Sequence, residues 1–142
     1  MKVSTKGRYA LRIMIDLAQN DGEGAVSLKD IARRQEVSAK YLELIVATLN
    51  KAGFVVSTRG KSGGYRLART PSEYTVGSIL KLTEGSMSPV ACLDNGECTC
   101  SRADQCLTLP LWEKLDQLID NYLESVTLQD LLDQAGNRTC NL

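Results

Sequence analysis

Six residues, Arg59-Gly60-Lys61-Ser62-Gly63-Gly64, constrain the fold of this chain more than any others. Glycine reaches backbone conformations closed to other residues, so three glycines in six positions mark a tight turn. Short β-like runs flank the turn, Phe54–Thr58 before it and Tyr65–Ala68 after it, so the tract reads as the tip of a β-hairpin. Gly60-Lys61-Ser62 also invites comparison with a nucleotide phosphate loop, which needs a glycine five positions earlier and a helix behind it. Position 55 is valine and a strand-like run follows, so the nucleotide reading fails.

The chain ahead of the hairpin has helical period. Leu11, Met14, Ile15 and Ala18 predict one apolar face of a helix over 7–20, ended by Asp21-Gly22-Glu23-Gly24. Ser27 is placed to cap a short helix through Gln35, with Asp30 three residues on and Leu28, Ile31 and Ala32 inward. After the turn Glu36-Val37, Ser38 caps a third helix over 39–52, lined by Tyr41, Leu42, Leu44, Ile45, Thr48 and Leu49. A short helix is expected over 75–83. Helix, short turn, helix and glycine-tipped hairpin, in that order, predict a winged helix-turn-helix: a mainly α fold with a small β-wing.

Past Glu84 the pattern changes twice. Residues 84–106 are rich in Gly, Ser, Asp and Asn and have no apolar period. Leu111, Trp112, Leu115, Leu118, Ile119, Tyr122, Leu123 and Val126 then keep helical spacing, with Glu113, Asp116, Asp120 and Glu124 opposite. A wide apolar face on a helix set apart by a loop is most often covered by a two-fold contact. A long C-terminal dimerisation helix is therefore expected, with Trp112, Leu115, Ile119 and Tyr122 at the seam. The expected organisation is a winged-helix domain over 1–83, a cysteine-rich loop over 84–106, dimerisation and closing helices over 107–135, and a polar tail over 136–142.

Charge points to the partner. The formal net charge is zero, yet residues 1–70 hold 13 basic and 6 acidic side chains and residues 71–142 hold 4 and 11, so the halves carry +7 and −7. A basic half is the electrostatic footprint of phosphate contacts, here with double-stranded DNA. Ser38 can offer the free N–H groups of its helix to a phosphate, while Lys40 and Glu43 lie where early side chains reach base edges. Arg59 suits a narrow minor groove, and Lys61 and Ser62 can lie along the backbone. The chain has no histidine, which excludes Ser-His-Asp and Cys-His catalysis, His-ligated zinc and a histidine pH switch. No general-base and nucleophile pair can be assembled, so no enzyme is expected. No apolar run reaches membrane-spanning length and the first residues have no signal-peptide core, so the expectation is a cytoplasmic protein without membrane contact.

Five cysteines remain, Cys92, Cys98, Cys100, Cys106 and Cys140, four of them within residues 92–106. An odd count without a secretion signal argues against a disulfide framework. Thiolates gathered on one loop suit zinc, copper(I) or iron–sulfur chemistry. Structural zinc usually uses pairs spaced by two to four residues; the gaps here are five, one and five, which favours an iron–sulfur site. Cys140 falls in the tail and is not expected to be a ligand.

Met1-Lys2-Val3-Ser4-Thr5-Lys6-Gly7-Arg8-Tyr9-Ala10, Ser38-Ala39-Lys40-Tyr41-Leu42-Glu43 and Arg59-Gly60-Lys61-Ser62-Gly63-Gly64-Tyr65 resemble the bacterial winged-helix repressor family that includes IscR, NsrR and CymR. Cys92, Cys98, Cys106-Leu107-Thr108 and Leu111-Trp112 look most like its IscR-type iron–sulfur cluster regulators, and the resemblance spans about residues 1–135. It implies a homodimer on a palindromic operator, with the long helix as the seam. It also implies a [2Fe–2S] cluster held by three cysteines and a histidine three residues after the last. By position the cysteines are Cys92, Cys98 and Cys106, and the histidine place holds Leu109. Cys100 is the obvious replacement, with Asp94, Glu97 or Asp104 as alternatives. The acidic ligand that nitric-oxide-sensing members borrow from the partner's first helix is Arg8 here. The implied function is regulation of iron–sulfur cluster assembly genes, with the assembly machinery as a further partner. The alternatives are a cluster-free thiol-redox or zinc-responsive repressor, or a CymR-like regulator acting with a cysteine-biosynthesis enzyme.

Overall fold

Serine and threonine hydroxyls set where most helices begin. In the computed structural model, which describes residues 2–94 and 96–136, Ser4 caps α1 (Thr5–Gln19), Ser27 caps α2 (Leu28–Gln35) and Ser38 caps α3 (Ala39–Lys51). Each side chain accepts the backbone N–H of the third helical residue, satisfying one of the donors left free at a helix start. Strands β1 (Val55–Thr58) and β2 (Gly64–Leu67) follow, then Thr75 caps α4 (Val76–Glu84). Helix α5 (Leu109–Ser125) opens instead with a proline near its start, where the missing N–H is no loss. Thr127 and Asp130 then form a reciprocal capping box on α6 (Leu128–Asp133). Among the described residues, no helix is long and apolar enough to cross a membrane.

Two helix faces differ from the periodic reading. On α1 the fully buried apolar side chains are Ala10, Ile13, Met14 and Leu17, while Leu11, Ile15 and Ala18 pack at the margin of the core. This helix also begins earlier than the apolar pattern suggests because Ser4 caps it. It meets α2, α3, α4, α6 and β2, so more than one of its faces is covered. On α3 the inward stripe is Leu42, Ile45, Val46 and Leu49, and Leu44, expected to line the core, is 66% exposed. At 100° per residue Leu44 stands on the far side of the helix from Leu42 and Val46. Thr48 is half-buried and its hydroxyl donates to the Leu44 carbonyl at 3.1 Å.

The wing is antiparallel, with Val55 opposite Leu67 and Thr58 opposite Gly64. Tyr65 exchanges two backbone hydrogen bonds of 2.8 Å with Val26, which bolts β2 to the segment leading into α2. Gly64 is required there, because a Cβ would collide with the Val26 carbonyl. Tyr74 is fully buried; its hydroxyl donates to the Phe54 carbonyl at 2.6 Å and accepts the Arg69 N–H at 3.0 Å, closing the base of the hairpin. Helix α6 packs into the same core through Leu128, which is fully buried. By contrast α5 has no buried residue: Trp112, Leu115 and Ile119 are half-buried, and Leu111, Leu118 and Tyr122 are exposed.

Candidate nucleic-acid interface and cysteine loop

A polar stripe on α1 orients the α2–α3 pair. Asp16 accepts two hydrogen bonds from the Arg34 guanidinium, at 2.9 and 2.7 Å, and one from the Gln35 amide at 2.9 Å. One helical turn back, Arg12 donates to the Gln35 side chain at 3.0 Å and to its carbonyl, which belongs to the last turn of α2. The same guanidinium lies over the Tyr9 ring at 4.9 Å, and Tyr9 meets Tyr41 of α3 edge to face at 5.8 Å. Tyr9, Arg12 and Asp16 recur every three or four residues, so one face of α1 carries all three contacts.

The residues singled out for DNA all reach solvent. Ser38, Lys40 and Glu43 are exposed at the start of α3, and Arg59, Lys61 and Ser62 are exposed at the wing tip. Lys61 and Ser62 line a shallow cleft with Ser27 and Asp30 at the start of α2, so the wing tip stands beside a second helix terminus. Sequence reading missed Leu44, whose outward position follows from the Leu42, Ile45, Val46, Leu49 stripe once Val46 is counted as core. It also missed the Asp16–Arg34 pair, because nothing local relates residues on two helices.

The cysteine loop is tethered at both ends of its first half. Leu93 is buried and anchors it, Ser88 donates to the Leu93 carbonyl or to the Asp116 carboxylate of α5, at 3.0 and 2.7 Å, and Ser86 donates to Asp94 at 2.9 Å. The Thr99 N–H donates to the Cys92 carbonyl at 3.2 Å, which folds the chain around Cys98 back toward Cys92. All four loop cysteines are free thiols; Cys92, Cys98 and Cys106 are half-buried and Cys100 is exposed. Partial burial pushes the Cys92 thiol up from its ordinary value, helped by the neighbouring Cys98 and Cys100 thiols. Cys106 stands 3.4 Å from the Thr108 hydroxyl, and its thiol is lowered by that hydrogen bond, by nearby backbone N–H groups and by the Arg102 charge. The structure thus brings Cys92, Cys98 and Cys100 into one neighbourhood. Among the described residues, no three Cys, Asp or Glu side chains stand close enough to share a metal ion. Cys140 lies outside the described residues.

The Rrf2 family model, described as an iron-dependent transcriptional regulator, matches residues 3–134. The chain belongs to the Rrf2 family. Its Rrf2 relatives include the HTH-type transcriptional regulator IscR of Aliivibrio salmonicida, 40% identical over 132 residues that cover 93% of this chain and 77% of that protein. The solved structure of CymR, the global cysteine regulator of B. subtilis, superposes with a TM-score of 0.79 at 41% identity, covering 95% of this chain and 98% of that one. That of T. potens IscR superposes with a TM-score of 0.77 at 43% identity, covering 99% and 94%. The winged-helix assignment holds, and the protein is a DNA-binding transcription regulator of the helix-turn-helix type.

Proposed function

We propose that this Rrf2 protein is a homodimer that binds a palindromic operator and reports iron–sulfur cluster status, with cluster assembly genes as its targets. One observation carries the sensing part: four free thiols lie on a single loop that is hydrogen-bonded to α5, the helix with the exposed apolar stripe. The donor set suits the group, since reduced thiolates are the usual ligands of such clusters. Cys92, Cys98 and Cys106 would hold it, with Cys100 as the fourth donor, and the thiols would have to draw together, since no three of the described ones stand close enough to share a metal ion. When bound, a [2Fe–2S] cluster supplies an oxidisable, displaceable centre whose occupancy follows iron and sulfide supply.

The protein's own residues supply the rest. Lys40 and Glu43 offer a donor and an acceptor to base edges, and the Ser38-capped start of α3 faces phosphate. Arg59 enters the minor groove at A·T-rich flanks, while Lys61 and Ser62 follow the backbone. Two copies joined along α5 link two half-sites, which converts the second contact into an intramolecular one.

Purification without oxygen, followed by a visible spectrum and iron and sulfide assays, tests the sensing part. Cys→Ala at 92, 98, 100 or 106 should remove the cluster absorbance and Cys140→Ala should keep it. An unchanged cluster in Cys100→Ala would transfer the fourth position to a carboxylate or another non-thiolate donor. For DNA, Lys61→Ala should weaken all binding and flatten its salt dependence, Arg59→Ala should relax preference at A·T-rich flanks, and Glu43→Ala should alter sequence choice.

A cluster-free regulator of the CymR kind is the second reading. It is favoured by the spacing of the loop side chains, since among the described residues no three Cys, Asp or Glu stand close enough to share a metal ion. Operator affinity that ignores iron removal but responds to a thiol oxidant, to zinc, or to an added cysteine-biosynthesis enzyme would select it.

A further inference from the structure

The geometry points to Leu44 as a base-reading residue whose side chain contacts the 5-methyl group of a thymine in the major groove. This rests on the reading of α3 as the recognition helix and adds to it a residue and a base. Leu44 is 66% exposed and belongs neither to the core nor to its half-buried margin. The other exposed large apolar side chains among the described residues, Leu107, Leu111, Leu118 and Tyr122, all lie on α5 or just ahead of it. Leu44 has no apolar company of that size. Its outward neighbours along α3 are Lys40, Glu43 and Ala47, all exposed.

The size of the feature decides what it can bind. A stable protein contact needs on the order of 800 Å² from each partner, and one leucine between a lysine, a glutamate and an alanine is far short of that. A single methyl group is a ligand of the right scale. In the major groove only thymine presents one, on the outer edge of its ring. Leucine can neither donate to guanine nor accept from cytosine, so facing a G·C pair it would leave a desolvated polar group without a partner. Lys40 and Glu43 meet the polar edges, and Leu44 discriminates by excluding them. Four residues separate Leu44 from Lys40, a rise of about 6 Å along the helix, so the thymine should lie within roughly two base pairs of the position that Lys40 reads.

The test uses the full chain and duplexes selected from a randomised palindromic library. Deoxyuridine replaces thymidine at one symmetric pair of positions at a time, which removes only the methyl group. At one such pair the wild type should bind roughly fourfold more weakly per half-site, the value of one buried methyl, while Leu44→Ala should bind both duplexes alike. Leu44→Ala should keep the wild-type melting temperature, since its side chain packs on nothing in the core. Equal sensitivity of wild type and variant at every thymine overturns the inference and leaves the recognition helix in place. So does a change of oligomeric state in Leu44→Ala, which would make Leu44 a protein contact. Failure of the library to enrich any sequence overturns both this inference and the operator reading beneath it.

Discussion

Asp16 and Arg34 form a two-pronged ion pair across the contact of α1 and α2, with Nε 2.9 Å from Oδ2 and Nη2 2.7 Å from Oδ1. The two ends differ in environment: the Asp16 side chain is 3% exposed and that of Arg34 is 35% exposed. Removal from water therefore falls mainly on the carboxylate, and Gln35 and Asn20 add hydrogen bonds to it. The pair fixes how α2 crosses α1, and through the short turn at Glu36 it fixes where α3 points.

Arg34→Met should destabilise the fold by about 2–3 kcal/mol. Breaking a fully buried pair costs about 3–5 kcal/mol, and the exposure of Arg34 reduces this. Denaturant midpoints measure it. The double variant Asp16→Leu, Arg34→Met should recover most of the loss, because no charge is then stranded. A double variant as unstable as the sum of the singles would mean that the pair does not act as a unit.

Lys81 clamps α4 to α5 through Asp120 at 2.5 Å and Glu124 at 3.0 Å. The Asp120 and Glu124 carboxylates hold its ammonium above the usual lysine range. A raised value in the folded state means stability that is fully present below the unfolded lysine value of about 10.4 and lost as pH rises through the folded one. With all three side chains partly exposed, Lys81→Met should cost at most about 1 kcal/mol at pH 7. The gap from wild type should shrink in high salt and close in strongly alkaline buffer; urea titrations at several pH values check this, and a gap that widens with pH contradicts it.

Leu118→Asp should yield a monomer whose protomer melts as before, because Leu118 is exposed on the single chain. Operator affinity should fall steeply once the half-sites are unlinked. Trp112→Glu and Leu115→Asp should also dissociate the dimer proposed along α5 but lower protomer stability as well, since both side chains are half-buried within the single chain. Sedimentation velocity and thermal melts separate the two classes. A Leu118→Asp protein that sediments as a dimer would move the seam off α5.

Local chemistry made much of this protein legible in its sequence. Ser27 and Ser38 cap the helices they were expected to cap, and the glycine tract turns the hairpin between strands placed to within a residue or two. Caps, turns and periodic faces depend on neighbours a few positions away, so the order of residues suffices to place them. Which apolar face turns inward was another matter. Ala10, Ile13 and Leu17 win over Leu11, Ile15 and Ala18 on α1, and Val46 displaces Leu44 on α3, because the outcome depends on where other helices pack. The cysteine loop makes the same point from the polar side. Its four thiols are plain in the sequence, but how the loop folds around them depends on the Thr99–Cys92 contact, on Ser88 reaching Asp116 across 28 positions and on the buried anchor Leu93. The order of residues determined that the chain has a basic winged half and a thiol-rich loop; only tertiary packing decided which side chains face solvent, because burial depends on every element at once.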